Sequence, residues 1–352
     1  MKENKFIDLR SDTLTLPTQD MREVIYTAKV GDQAYDEDET TIELEEYCAN
    51  YFGKEAALFT CSGTMSDQVA IRSWTHSGDE VIIDKSYHIN YFQAGPSTDL
   101  GNILLNTCDT KDGILTVEHI EKAIQSRKRG NLFGNPKLIS LENTINGFGG
   151  SIFPIEKLKE VFSYSKDKGI PVHMDGERFL NACIATGIPV KEYASYSDSI
   201  STSFSKGLGA PFGSIIMGNK KFIEKARRYR RWYGGSLHQS GFMASAALYA
   251  IKNNVQRLQV DHDNAKLLES LLKKETNISL NLYPAETNMV MIDTNNLNVT
   301  SEEFVRLCKE KGVLVYPWAP YIVRAVTNMN VTAEDIKVAA SKILGICIEL
   351  IN

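Results

Sequence analysis

Lys206 and Asp175 are the residues whose settings most invite chemistry. Lys206 stands in Ser205-Lys206-Gly207-Leu208-Gly209-Ala210-Pro211, directly after the candidate strand 199–204. A lysine at the end of a buried strand is costly unless its surroundings use it. Desolvation lowers its pKa toward the range where the neutral amine is a nucleophile, as Schiff-base formation with an aldehyde requires. The glycines behind it let backbone approach a ligand closely. Asp175 ends the run Val172-His173-Met174 and is followed by Gly176-Glu177-Arg178. A buried carboxylate at a strand end, where α/β sheets present ligand-binding groups, needs a cationic partner. His173, inside the strand, reads as a satisfied core histidine.

Two further features bear on the same chemistry. Thr60-Cys61-Ser62-Gly63-Thr64 follows the apolar run 56–59 and precedes a helical stretch from Met65. Small hydroxyl residues and glycine at a helix N-terminus make an anion site, with phosphate its natural tenant. His88, in Lys85-Ser86-Tyr87-His88-Ile89, offers an imidazole that could stack on a planar ring or move a proton. Each feature has an ordinary explanation when taken singly: a loop lysine, a helix cap, a structural histidine. In the order phosphate turn, ring, Asp, Lys, each after an apolar strand, they point to pyridoxal 5'-phosphate. That cofactor's protonated ring nitrogen would pair with the Asp and its aldehyde with the Lys.

Such residues need a sheet to position them. Mostly apolar runs at 56–59, 81–83, 103–105, 138–141, 170–174 and 214–217, with the small-residue run 199–204, predict strands buried on both faces. Helical stretches at 120–127, 155–168 and 220–231 separate several of them, which predicts an α/β layered core over about residues 50–250. Beyond it, 255–274 reads as one long helix. Strands at 288–292 and 313–315 and helices at 301–311 and 332–344 follow, which predicts a smaller α+β unit.

With 352 residues the chain has length for roughly two domains. Hydrophobic residues at 43% and charged residues at 24% exclude a disordered or low-complexity protein. The net charge of −5 gives no electrostatic reason to expect nucleic acid or an anionic membrane. No apolar run approaches the roughly 18–20 residues of a membrane span. Met1-Lys2-Glu3-Asn4-Lys5 is polar, unlike a signal peptide. The six cysteines are scattered with no Cys-x-x-Cys pair, so reduced thiols in the cytoplasm and no metal site are expected.

The chain resembles the L-threonine aldolase / aromatic amino acid β-eliminating lyase family of fold-type-I pyridoxal-phosphate enzymes over nearly its whole length. The carrying motifs are Ile7-Asp8-Leu9-Arg10-Ser11-Asp12-Thr13, Gly31-Asp32-Gln33-Ala34-Tyr35, Ser140-Leu141-Glu142-Asn143-Thr144, Asp175-Gly176-Glu177-Arg178 with Asn181-Ala182, Ser205 to Pro211, Gln239-Ser240-Gly241 and Ile322-Val323-Arg324-Ala325-Val326-Thr327. The resemblance implies an aspartate-aminotransferase-like large domain with a mostly parallel seven-stranded sheet, plus a smaller α+β C-terminal domain. The expected divisions are 1–50 packing on the large domain and the partner subunit, 51–252 as the cofactor-binding domain, and 253–352 as the small domain. By the same resemblance, Lys206 is the Schiff-base lysine, Asp175 the carboxylate on the pyridine nitrogen and His88 the ring-stacking histidine. Gly63, Thr64 and Ser205 would hold the phosphate. Ser11, Arg178 and Arg324 would hold the substrate carboxylate, for which bidentate arginine is suited. Tyr35 would enter the neighbouring subunit's site, so a homodimer or homotetramer with interfacial active sites is implied.

Three positions depart from the family pattern: Ile145 and Leu132 stand where histidines are common, and His238 where an arginine usually reaches the partner's phosphate. An arginine among Arg227, Arg228, Arg230 and Arg231 could take that place, or the run could be a solvated helix face. Ile145 and Leu132 are expected to make the pocket apolar. The expected reaction is retro-aldol cleavage of L-threonine, L-allo-threonine or a related β-hydroxy-α-amino acid to glycine and an aldehyde. His88 or an ordered water would be the base. The alternatives are a β-eliminating lyase releasing pyruvate and ammonia, and a non-catalytic protein on an enzyme fold.

Overall fold

The computed structural model describes residues 6–126, 132, 134–274 and 280–351. Its frame is a seven-stranded sheet of β2 (Ala56–Thr60), β3 (Glu80–Asp84), β4 (Leu104–Cys108), β5 (Pro136–Glu142), β6 (Val172–Asp175), β7 (Ser199–Ser203) and β8 (Ser214–Gly218). The short β1 (Ile7–Asp8) precedes them. The order across the sheet is β2-β8-β7-β6-β5-β3-β4. Only β8 runs against its two neighbours, so the other six strands point the same way. Their carboxyl ends therefore share one edge, where an α/β sheet binds ligands.

The continuous apolar runs become strands because helices cover both faces. Val81, Ile82, Ile83, Leu138, Ile139, Leu141, Val172 and Ile200 are fully buried in one apolar core. At about 25 cal/mol per Å² of apolar surface, such burial is the main favourable contribution to folding. The helix Glu39–Phe52 packs into the same core through Leu44, Cys48 and Phe52, starting at an Asp38 cap and ending at Gly53, whose φ is +68°.

A second apolar core lies around an antiparallel sheet, β12-β13-β10-β9, of β9 (Asn281–Tyr283), β10 (Met289–Asp293), β12 (Tyr316–Ala319) and β13 (Ile322–Val326). Helices Leu258–Lys273, Ser301–Glu310 and Ala333–Ile351 supply its apolar side chains. β1 pairs in parallel with β11 (Val313–Leu314), and Ile7 and Leu9 are buried in this second core. The first residues of the chain are thereby tied to its last hundred.

The expected strands 56–59 to 214–217 coincide with β2 to β8 to within a few residues. The expected helix 120–127 is Val117–Ser126; Arg127 and the polar residues 1–5 lie outside the described residues. The expected helix 255–274 begins only at Leu258, after a turn that separates it from helix Gly241–Asn253. β12 has no buried apolar run of its own, since Tyr316 is exposed and Pro317 and Trp318 are only part-buried, while in β13 Arg324 interrupts the apolar residues.

Candidate active site

The strand ends converge on a cleft of about 400 Å³ lined by Ser11, His88, Phe92, Asn146, Arg178, Lys206, Trp318 and Arg324, among others. Lys206 follows β7, Asp175 closes β6, Glu142 closes β5 and His88 follows β3. After β2, Ser62 caps the helix Gly63–Trp74 by accepting the Met65 N–H at 3.2 Å. Gly209, at φ +80°, lets the chain turn sharply behind Lys206.

At the floor lies a buried set of carboxylates. Asp175 Oδ1 accepts the Glu177 N–H at 3.3 Å, while Oδ2 is buried with no hydrogen-bond partner. Burial first, and then the neighbouring Asp67 and Glu177 carboxylates, raise the Asp175 pKa well above its usual range. Asp67 accepts from Ser201 Oγ at 3.0 Å and from Gln93 Nε2 at 2.8 Å. One ligand atom each from Asp67, His88 and Asp175 lies within 4.8 Å of the others. This is a place built for positive charge or a hydrogen-bond donor.

His88 begins a helix, and its backbone N–H is held by Glu142 Oε2. Gln93 fixes the ring. Its Oε1 accepts from Gln68 Nε2 at 2.9 Å, so its amide nitrogen faces both Asp67 and His88 Nδ1, the latter at 3.0 Å. An amide nitrogen only donates. Nδ1 is thus an acceptor, and the neutral ring carries its proton on Nε2. Burial first, and then the charge of Lys206, lower the His88 pKa to about 4.

On the opposite wall, Arg178 and Arg324 share one acceptor. Arg178 donates to Asn146 Oδ1 at 3.4 Å and Arg324 at 3.0 Å. Arg178 is also gripped by Asp12, Nε to Oδ2 at 2.8 Å and a terminal nitrogen to Oδ1 at 2.7 Å. Asn288 supplies a third hydrogen bond to Asp12, at 3.1 Å. Burial would raise the Asp12 pKa, but Arg178 outweighs it and holds the carboxyl at about 2. The Arg324 guanidinium lies 4.5 Å from the Trp318 ring centre and 5.3 Å from that of Tyr316. Burial and the nearby Arg178 lower its pKa to about 10. Two guanidinium groups with one neutral acceptor between them are suited to a carboxylate.

The cleft thus gathers Lys206, His88, Ser11, Arg178 and Arg324, with Asp175 beside His88 and Gly63 against the Glu177 carboxylate; Thr64, next in the helix, is exposed, and Ser205, next to Lys206, is part-buried. Tyr35 and His238 are not brought to it. Tyr35 is 75% exposed, and the His238 side chain, 81% exposed, pairs with Asp32 at 2.9 Å. Arg230 is buried and donates to the Phe59 carbonyl at 2.7 Å and to Gln33 Oε1 at 3.0 Å, which makes it an internal brace. The expectation that Ile145 lines the pocket is corrected, since Ile145 is wholly buried in the main core; Leu132 is 84% exposed and does not line the cleft of its own chain. Apolar character comes from Phe92, Tyr316 and Trp318 instead, with Phe92 against the His88 ring at 5.0 Å.

Four residues carry weight that the sequence reading did not assign. Asp12 sits beside Ser11 and Glu177 inside Asp175-Gly176-Glu177-Arg178, so their motifs flagged them without a role. Asn146 and Trp318 had no signal, since each acts through partners remote in sequence.

Comparison with known proteins agrees with this architecture. The beta-eliminating lyase family matches residues 8–296. The low specificity L-threonine aldolase of Escherichia coli (strain K12) is 38% identical over 95% of this chain and 97% of its own. Low-specificity L-threonine aldolase 1 of Arabidopsis thaliana is also 38% identical, over 94% and 93%. A Leishmania major threonine aldolase structure superposes with a TM-score of 0.83 at 17% identity, covering 97% of this chain and 99% of that one, which is a likeness of fold.

Proposed function

The chain belongs to the beta-eliminating lyase family, and from that premise we propose that it is a pyridoxal-phosphate-dependent aldolase. It cleaves L-threonine, L-allo-threonine or a related β-hydroxy-α-amino acid to glycine and an aldehyde. The observation that carries this reading is the pairing, in one cleft, of a lysine and an unpartnered buried aspartate oxygen with two arginines on the facing wall.

The residues suit the cofactor. The Asp175 Oδ2 atom, buried and without a partner, needs a donor such as a protonated ring nitrogen. The Lys206 amine serves its aldehyde, and the helix end at Gly63, with Thr64 and Ser205 near, serves its phosphate. When bound, pyridoxal phosphate supplies an electron-withdrawing ring that accepts the electrons of the bond broken at Cα.

The protein's part is placement. Arg178 and Arg324 hold the substrate carboxylate and Ser11 closes its side, which orients the remaining bonds at Cα. Asp12 and Asn146 keep both guanidinium groups in position. His88 presents Nε2–H rather than a lone pair, so it serves as ring platform and proton donor, and the base is an ordered water. Phe92 and Trp318 shelter the β-substituent.

Tyr35 and His238, exposed and remote from their own cleft, support a homodimer or homotetramer in which each copy completes its partner's site. No helix among the described residues is long and apolar enough to cross a membrane. The six unpaired cysteines support a reducing, cytoplasmic location.

The test is an absorbance spectrum of the purified protein with pyridoxal phosphate, followed by L-allo-threonine, L-threonine and glycine in turn. A cofactor band that glycine shifts, with aldehyde released from either hydroxy amino acid, is expected. Pyruvate in place of glycine would instead establish β-elimination.

A further inference from the structure

Glu177, ion-paired to Lys206, is a charged group at the cleft that the proposed chemistry leaves unused. Its Oε2 accepts from Lys206 Nζ at 3.1 Å and its Oε1 from Ser214 Oγ at 2.9 Å. Its side chain is 9% exposed. A Cβ placed on Gly63 would lie 2.2 Å from Oε2, 2.4 Å from Cδ and 2.8 Å from Oε1. The carboxylate therefore rests on the first residue of the helix Gly63–Trp74, the end of a helix that attracts anions. The unpartnered Asp175 Oδ2, two residues before Glu177, is an independent sign that the same cavity takes a ligand.

We infer that Glu177 is a built-in competitor for the phosphate end of the site, and that its carboxylate must swing off the helix end at Gly63 before a phosphate seats there. The inference rests on the reading of the cleft as a pyridoxal-phosphate site. Two anions cannot share one helix end without strong repulsion in a buried setting. What occupies the spot is the far end of a flexible side chain, so it can move where backbone could not. Burial opposes charge on Glu177, but Lys206 and Ser214 outweigh it and lower its pKa, so the competitor is an anion at neutral pH. Lys206 is also the group that the aldehyde engages. One arriving molecule thus contests both ends of the Lys206–Glu177 ion pair, its aldehyde taking the amine and its phosphate the helix end. Pyridoxal, which lacks the phosphate, contests only the first.

The experiment titrates wild type, Glu177→Gln and Glu177→Ala with pyridoxal phosphate and separately with pyridoxal, reading affinity from the absorbance band. The glutamine variant keeps the side-chain shape and the Ser214 contact should the alanine variant fold poorly. Pyridoxal phosphate is expected to bind both variants about tenfold more tightly than wild type, with pyridoxal changed by less than about twofold. Inorganic phosphate should compete better in the variants. An unchanged ratio between the two ligands, or weaker pyridoxal phosphate binding, would overturn the inference. Failure of pyridoxal phosphate to bind wild type and both variants would overturn the cofactor reading, and the inference with it.

Discussion

Asp12 grips Arg178 with both carboxylate oxygens, at 2.7 and 2.8 Å, across 166 positions of sequence. Ser11, beside Asp12, lines the cleft that Arg178 faces. The contact joins the N-terminal segment to the turn after β6, so one ion pair both ties the chain together and aims the guanidinium.

Removing the charge at Asp12 should therefore cost binding before turnover. For Asp12→Asn we expect the KM for the amino acid to rise at least tenfold and kcat/KM to fall about a hundredfold, and the broken buried pair to cost about 3–5 kcal/mol of folding stability. The pH dependence has a definite sign. The folded-state pKa of about 2 lies below the unfolded value of about 3.9. This stabilisation, about 2.5 kcal/mol, is present above pH 4 and lost as pH falls toward 2. Urea unfolding of wild type and variant at pH 6 and pH 2.5 checks it: the stability gap should narrow at the lower pH.

Asp175→Asn should separate function from stability. The native carboxylate is buried beside Asp67 and Glu177, with its charged form disfavoured. A neutral amide relieves that cost, so thermal unfolding without added cofactor should be unchanged or raised. Turnover at saturating cofactor should fall about a hundredfold or more if, as proposed, Asp175 supplies the charge opposite the ring nitrogen. A lower melting temperature in the variant would argue against this account of the floor.

His88 should stay neutral through the working range. A pKa of about 4 places its ionisation below that of an ordinary histidine, so protonation on the acid side costs stability from about pH 6.5 down through 4. Nitrogen-15 histidine spectra should show the Nε2–H tautomer and no His88 titration between pH 5.5 and 8. His88→Phe, which keeps a ring platform, should lose less than the factor of about 10³ that removal of a general base can cost.

Trp318 should set the preference for the β-substituent. It borders the cleft and supports Arg324 at 4.5 Å. Trp318→Ala is expected to lower kcat/KM for a β-phenyl substrate about tenfold more than for L-threonine, on the scale of a lost aromatic pair. Both KM values should rise somewhat as Arg324 loses the nearer of its two cation–π partners. Equal losses for both substrates would leave the arginine contact as the whole of its role.

What the sequence by itself determined was local. An apolar run buried on both faces is a strand wherever it lies, and a glycine or hydroxyl residue after it marks the strand's functional end. The seven-stranded sheet and the placement of Asp175 at a strand end and of Gly63, His88 and Lys206 just beyond strand ends were legible for that reason. The tertiary structure alone decided which remote groups meet there. The Asp12–Arg178 grip, the shared Asn146 oxygen, the Trp318 ring beside Arg324 and the Glu177 carboxylate on Gly63 all join separate elements. It also put Ile145 in the core, where its place in the family pattern predicts a pocket residue. Local pattern reports a residue's own backbone and burial. Which charge faces it depends on strand order and on how two cores pack, and no stretch of sequence contains that.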